Sequence, residues 1–452
     1  MRKEQLLKNA LVLALAISAV AGCKKDDTED PPVVIPGSKV VTLKDSIMGN
    51  RILSADSSYL LKGFVYVING STLTIPAGTV IKGDKDTKGT LIVERGGKLQ
   101  ATGTADKPVV FTSNQAVGSR SYGDWGGIII CGRAPVNQPA GEIQIEGGPR
   151  SFFGGADPAD NSGTLKYVRI EFCGIALEPN KEINGLTLGG VGNGTTIDHV
   201  QISYSGDDAF EFFGGTVNAK HLISHRALDD DFDTDFGYSG KIQFAVALRD
   251  PNNADVSGSN GFESDNDANG NSYSPYTSPI FSNVSVFGPK ANSGTVINTN
   301  FKRAVHLRRN TKLSCFNSVF AGYPYGLLLD GSAVEANVIA NDISFKHNVI
   351  AGCDTAYKQS GGTGALDIGV WFSNNINQQL PATSDLAIND AFNLTNPNFL
   401  PMQNSVLLGN ANFSDIKLQD SFFESVNYQG AFGATNWTDK WGNFNPQQTT
   451  YN

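Results

Sequence analysis

The chain has 452 residues, of which 17% are charged, and a formal net charge of −9. A charged fraction below the roughly 25% usual for globular domains, with 50 glycines and only 3 methionines, favours short strands and turns over amphipathic helices. The acidic balance argues against a nucleic-acid partner, because affinity for phosphates depends on basic patches.

The first 22 residues are predicted to be a signal peptide. Arg2, Lys3 and Lys8 precede an apolar run from Ala10 to Ala21, which is too short to span a bilayer as a helix. The run ends in Val20-Ala21-Gly22-Cys23, which resembles the lipobox of bacterial lipoproteins. This resemblance implies cleavage before Cys23 and acylation of its thiol and new amine, which would hold the protein on a membrane. An ordinary secretory signal that ends near a cysteine is the alternative.

A charged, proline-rich tether is predicted over residues 23–37. Two lysines, the acidic run Asp26–Asp30 and three prolines cannot build a core. A basic and then acidic run directly after a lipidated cysteine resembles the surface-export signal of Bacteroidota lipoproteins. The resemblance implies an outer-membrane lipoprotein that faces the cell exterior, and simple spacer chemistry is the alternative.

From residue 38 to residue 452 we predict one domain built from repeats. Val67–Leu73 matches Val93–Leu99 at an offset of 26 residues, and Asp207–Glu211 recurs as Asp229–Asp233 at an offset of 22 residues. Short strands broken by glycine, at coil spacings of this size, predict an all-β parallel β-helix rather than a sandwich.

Two sets of segments carry a family resemblance. The run Gly89–Ser113 resembles the opening coils of pectin-lyase-like right-handed parallel β-helices. A second set resembles uncharacterised Bacteroidota lipoproteins of that fold: Val200–Gly215, Asp229–Gly240, Gly261–Asp267, Gly430–Gly433 and Trp437–Pro446. The resemblance implies a single-stranded right-handed parallel β-helix over nearly the whole mature chain, and it implies no activity.

Both open ends of a parallel coil need to be covered. We expect residues 38–58 to cap the first end and residues 380–452, which are rich in aromatic side chains, to fold back as the second cap. A sugar-stacking platform is the other interpretation of these aromatic residues: Phe422, Phe423, Tyr428, Phe432, Trp437, Trp441 and Phe444.

Four cysteines follow the predicted anchor: Cys131, Cys173, Cys315 and Cys353. Cys131 and Cys173 each end an apolar strand just before a glycine, which could place both at one corner of the coil. Disulfides between coils and buried free thiols both remain open.

The strongest candidate site is a column of carboxylates. If residues 229–235 form a strand, the odd-numbered aspartates share its outer face and Phe232 points inward. The repeat places Glu211 beside Asp233, and Asp207 beside Asp229, at about 4.8 Å between coils. Carboxylates without histidine or thiolate favour a hard cation, and calcium takes six to eight oxygens. The predicted ligands are Asp207, Glu211, Asp229, Asp231, Asp233, Asp235 and Glu263.

A solvated acidic face, or pairing with Arg226, Lys241 and Arg249, are the alternatives to a metal. The five histidines show no ligand spacing and are interpreted as structural.

Two functions remain open. The first is a binding or scaffolding module, for glycan or protein partners, with calcium as a stabiliser. The second is a polysaccharide lyase or glycoside hydrolase acting outside the cell. Lyases of similar fold bridge an acidic sugar by calcium and remove a proton with a basic side chain, for which Arg249, Arg303 and Arg308 are candidates. Two carboxylates of the column could instead serve as the acid and base of a glycosidase. The residues do not identify the ligand.

Overall fold

The computed structural model describes residues 40–146, 149–178 and 181–451, together with the backbone of the two-residue strand Val33–Val34. The coils belong to one unit, residues 34–452. The predicted signal peptide, the anchor at Cys23 and most of the tether lie outside the described residues. Among the helices that are described, none is long and apolar enough to cross a membrane.

The fold is a right-handed parallel β-helix, which confirms the predicted fold class. Each coil adds one strand to an 11-stranded parallel sheet, which we call the front sheet. Its strands, in chain order, are Ser46–Ile47, Phe64–Val67, Thr90–Val93, Gly127–Cys131, Leu186–Gly189, Phe210–Phe213, Phe232–Asp235, Phe262–Ser264, Arg303–Leu307, Tyr325–Asp330 and Thr355–Ser360.

A larger sheet, which we call the back sheet, forms the other two faces of the coil. Its strands from residue 40 onward are Val40–Leu43, Asn50–Ile52, Ser58–Leu61, Thr72–Pro76, Val80–Gly83, Lys98–Thr102, Val109–Ser113, Gly163–Glu171, Thr196–Ser203, Asn218–His225, Lys241–Leu248, Ile280–Phe287, Ser314–Phe316, Val319–Ala321, Phe345–Lys346, Val349–Ala351 and Gln378–Leu380. Loops carry two small antiparallel pairs, Ile143–Gln144 with Phe152–Phe153 and Ala176–Glu178 with Lys181–Glu182.

Alternation along each strand separates the core from the surface. In Thr72–Pro76 the side chains of Leu73 and Ile75 are buried and their neighbours are partly exposed. Larger side chains fill the middle of the solenoid, where Phe210 and Phe232 stack with ring centroids 5.5 Å apart. The same residue type on successive coils therefore builds a continuous core.

One corner of the coil is formed by residues with positive φ. Tyr167, His199, His221 and Phe244 have φ between 51° and 61°, and each divides a long strand of the back sheet between two faces. A non-glycine residue in this conformation is uncommon, and here it recurs at the same point of each coil. The side chains stack on the outside, with centroid separations of 4.3, 4.1 and 5.3 Å along the series. We call this stack the corner column.

The two ends of the coil differ from the expectation. The strands within residues 40–52 are paired in both sheets and form the first coil itself, rather than a separate cap. At the other end the helix Ile368–Asn374 places Phe372 against Tyr357, with ring centroids 4.7 Å apart. An earlier helix, Ser332–Ile339, buries two valines in the same core.

Residues 381–451 form a strap along the outside of the back sheet. The strap contains the 3-10 helices Thr383–Leu386, Ile416–Leu418 and Pro446–Gln448 and the antiparallel pair Ile388–Asp390 with Asn398–Pro401. It buries a second apolar core outside the solenoid, in which Phe432, Trp441 and Phe444 meet outward side chains such as Val246 and Phe287. These three rings are at most 9% exposed, so they do not form an open sugar-stacking surface.

Side-chain amides of the back sheet hold the strap. Gln201, Gln243 and Asn317 each bond both the backbone N–H and the backbone carbonyl of one strap residue, at 2.7 to 3.0 Å. At the far end, Arg120 donates to the carbonyls of Pro446 and Thr449, both at 2.9 Å. The strap thus runs from the last coil back to the first ones.

Candidate functional site

The acidic residues of the two repeats lie on neighbouring coils of the front sheet. Glu211 pairs with Asp233, and Asp233 pairs with Glu263, which confirms the register predicted from the repeat. Asp208 and Asp230 occupy the turn before each strand. The N–H of Asp230 donates to Asp208 Oδ1 at 2.7 Å, and the N–H of Asn260 donates to Asp230 Oδ1 at 2.6 Å. The turns therefore stack as regularly as the strands.

These side chains form three overlapping groups whose ligand oxygens lie within 4.8 Å of one another. Asp208 belongs to two of the groups, and so does Asp233. We call the whole set the acidic cluster: Asp207, Asp208, Glu211, Asp229, Asp230, Asp233 and Glu263. Such an arrangement of carboxylate oxygens from three coils is suited to a divalent cation.

Burial and mutual repulsion shift the titration of the cluster. Loss of water, and then the charge of neighbouring carboxylates, raises the pKa of five members well above the usual range: Asp207, Asp208, Glu211, Asp230 and Asp233. Burial also raises the pKa of Asp229, to about 6. The ionised cluster is therefore unfavourable unless protons or a cation compensate it.

Among the described residues, the ion pairs of the cluster are made by Glu263. Glu263 contacts His306 Nδ1 at 3.3 Å and pairs with Arg308. Burial alone would raise the pKa of Glu263, but these two partners hold it below its usual value. The other six members form no ion pair with any residue that the structure describes.

Several buried oxygens around the cluster lack a hydrogen-bond partner within the described part of the chain. They are Glu211 Oε1, Asp229 Oδ1, Asn184 Oδ1 and Asn260 Oδ1. Glu211 is 4% exposed and Asn260 is fully buried. Leaving one such group unsatisfied costs about 1 to 3 kcal/mol, so a proton, a water molecule or a cation at these oxygens would stabilise the fold.

Two of the predicted ligands are not in the cluster. The prediction is wrong for Asp231, which faces the interior and accepts from Arg249 Nη1 at 3.1 Å and from Ser224 Oγ at 2.5 Å. The strand begins only at Phe232, so strand alternation does not apply to the residue before it. Asp235 lies further along the strand and accepts from the N–H of Phe236 at 2.5 Å.

The candidate catalytic arginines are mostly committed to other contacts. Arg249 is 1% exposed and inside the solenoid, where it also donates to the backbone carbonyls of Leu228 and Asp229. Its burial excludes it as a base for an external sugar. Arg308 pairs with Glu263 and Asp265. Arg303 begins the strand after Phe262–Ser264 and is half-buried.

Sequence reasoning missed Asp208 and Asp230 as cluster members. Both stand two residues before a repeated phenylalanine, Phe210 and Phe232, so the repeat itself carried the signal. Treating residues 229–235 as one strand assigned Asp230 to the wrong face.

A second polar group, also missed, lies on the corner column. His199 Nδ1 and His221 Nδ1 both donate to Asp198 Oδ1 at 2.8 Å. Their rings are stacked with 25° between the planes, and both Nδ1 atoms point at the same carboxylate oxygen. The ligand atoms of Asp198, His199 and His221 lie within 4.8 Å of one another, and hydrogen bonds from both imidazoles to one carboxylate account for this geometry without a metal.

The four cysteines are free thiols in this structure, and all but Cys353 are fully buried. Cys131 packs outside the front sheet and Cys173 packs in the solenoid core, so they do not share a corner. Burial raises the pKa of both thiols to about 12.

The comparisons with known proteins bear on the fold. A family model described as a pectate-lyase-like β-helix domain matches residues 45–391. No curated protein and no solved structure gives a significant match. The matched region covers most of the chain, includes the acidic cluster and stops near the start of the strap. The chain therefore belongs to the family of pectate-lyase-like β-helix domains.

Proposed function

We propose that this protein is a cell-surface lipoprotein whose β-helix is a binding or scaffolding module, stabilised by calcium at the acidic cluster. The observation that carries the proposal is a buried set of carboxylates, on three coils, of which Glu263 alone forms ion pairs with the residues that the structure describes. Two carboxylates 4.8 Å apart repel by about 3.5 kcal/mol at an effective dielectric constant of about 20.

Calcium fits the donor set. The ligands are oxygens alone, and calcium takes six to eight of them in flexible geometry, whereas magnesium requires a small octahedral site. The amide oxygen of Asn260 lies on the same turn column as Asp230 and supplies a neutral ligand. A bound ion would join three coils and replace the missing partner of Glu211 Oε1.

The binding role rests on the shape of the site. Ser257 Oγ donates to Asp229 Oδ2 at 2.7 Å, so a loop covers one side of the cluster. Asp208, Glu211 and Asp230 are each less than 10% exposed. Buried carboxylates of this kind can hold an ion between coils but are poorly placed to reach a polymeric substrate.

The anchor and the location rest on the sequence alone. The lipobox-like ending at Cys23 supports acylation, and the charged tether that follows supports display on the outer surface. An acidic module on such a tether is suited to glycan or protein partners near the cell.

A screen of the soluble protein, residues 24–452, against acidic and neutral polysaccharides tests the proposal. Binding without chemical change is the expected result. New absorbance from unsaturated sugar ends, or new reducing ends, would replace the binding role by the lyase or the glycosidase. Either activity should then depend on Arg303 or on carboxylates of the cluster.

A further inference from the structure

Four of the five histidines lie against the strap. His199 and His221 face Trp437 and Trp441 with ring centroids 5.2 to 6.3 Å apart. His225 meets Phe444 at 5.2 Å, and the carbonyl of His347 accepts from Gln429 Nε2 at 2.5 Å. Histidine is the side chain whose charge changes between pH 5 and 8.

His225 is fully buried under the strap. Its Nε2 donates to the carbonyl of Leu394 at 2.9 Å, and its Nδ1 is buried without a partner among the described residues. A second proton would place a charge at Nδ1 with no acceptor and close to Arg226. Burial, and then the charge of Arg226, lowers the pKa of His225 to about 3. Arg226 in turn faces Tyr204 and Asp250.

His199 and His221 share one acceptor. Asp198 Oδ1 takes both hydrogen bonds, and Asp198 Oδ2 lies 3.3 Å from Lys166 Nζ. Because Lys166 already faces this carboxylate, two imidazolium ions and one ammonium would share a single negative charge. In the contacts given above, the strap places aromatic rings against these two histidines and no negatively charged group. Burial lowers the pKa of His199.

Other ionisable groups at the interface behave differently. Tyr451 donates to Glu171 Oε1 at 2.6 Å, and burial raises the pKa of Glu171, so acid favours docking of the last residues of the strap. Lys220 pairs with Glu424, Lys241 with Asp420 and Lys346 with Asp415. Hydrogen bonds lower the pKa of Asp420. Burial alone would raise the pKa of Asp415, but its partner Lys346 outweighs burial and lowers it. Both carboxylates therefore stay ionised in mild acid.

We propose that the strap is an acid-sensitive clamp, in which protonation of the histidines beneath it releases its central part, residues 391–444, from the back sheet. A histidine that is neutral when covered takes up a proton when uncovered, so docking weakens as the pH falls through about 6.5. For His225 alone, the opening equilibrium should rise on the order of 100-fold between pH 7.5 and pH 4.5.

Hydrogen–deuterium exchange, expressed as protection factors, tests this on the soluble protein. Amides in residues 391–444 should lose about two orders of magnitude of protection at pH 4.5, whereas those in the front sheet and in residues 446–451 should not. His225→Gln keeps a donor toward Leu394 without a titrating charge and should remove most of the pH effect. Phe399→Ala removes packing on Phe287 and not on a histidine ring, so it should lower protection at both pH values and preserve their ratio.

Three outcomes would overturn the proposal. They are equal protection of the strap at both pH values, an equal loss of protection in the strap and the front sheet, and an unchanged pH effect in His225→Gln. If the His225 variant does not fold, the double variant His199→Gln with His221→Gln must reduce the pH effect, and an unreduced effect would count against the clamp.

Discussion

Calcium should raise the melting temperature of this protein by a few degrees. A ligand at about 100 times its Kd stabilises the native state by about 2.7 kcal/mol. Unfolding entropy is about 2.1 cal/mol/K per residue, or roughly 0.85 kcal/mol/K for a solenoid of about 400 residues, so the shift should be about 3 °C. Circular dichroism melts of the soluble protein in calcium and in a chelator measure this difference.

Two variants of one strand test the assignment. Asp233 belongs to two of the three oxygen groups, so Asp233→Asn should remove most of the calcium shift. In the chelator it should melt at or above the wild type, because one source of repulsion is gone. Asp235 is on the same strand but outside the groups, so Asp235→Asn should keep the shift. Identical wild-type melts in calcium and chelator, or equal losses in the two variants, would refute the reasoning.

Three further outcomes are expected. Without calcium, stability should fall as the pH rises from about 4 to above 6, because carboxyl groups with a raised folded pKa stabilise the fold only while protonated. The increase in melting temperature caused by calcium should grow over the same pH range. Melts at fixed ionic strength in which stability instead rises with pH would contradict the burial argument. Arg249→Met should lower the free energy of unfolding, measured by urea denaturation, by about 3 to 5 kcal/mol, because it leaves Asp231 charged and buried. Adding Asp231→Leu should recover much of that loss. No recovery would mean that the pair does not act as a unit. Cys23→Ser should move the protein from the membrane to the soluble fraction, and retention of this variant in the membrane would disprove lipid anchoring. Protease added to intact cells should degrade the wild type. Full protection from the protease would place the protein on the periplasmic side.

The repeat was enough to predict the coil and most of the acidic cluster. Glu211, Asp233 and Glu263 stand next to equivalent phenylalanines, and a parallel solenoid places equivalent positions side by side. The same logic applied to Asp208 and Asp230, but these residues lie in turns. Strand alternation is no guide in a turn, where the backbone can aim a side chain either way, as the inward Asp231 shows.

The path of the strap could not be read from the sequence. Its position depends on pairings such as Gln201 with Asn443 and Gln243 with Glu424, which join residues far apart in the chain. No periodicity links these partners, and each is an ordinary polar residue by itself. The aromatic residues of the strap indicated burial, but they did not indicate which surface they would cover.

The strap also sets an order of assembly. Each coil can form on the coil before it, through contacts that are local in the chain, but Lys82 meets the carbonyl of Tyr451 across 369 residues. Contacts between residues so far apart in the chain form late, because the entropic cost of closing a long loop must be overcome first. Until then the outer apolar side of the back sheet is open to water, including Val246, Leu248 and Phe287. We therefore expect a newly made chain to be most prone to aggregation just before its last 70 or so residues dock.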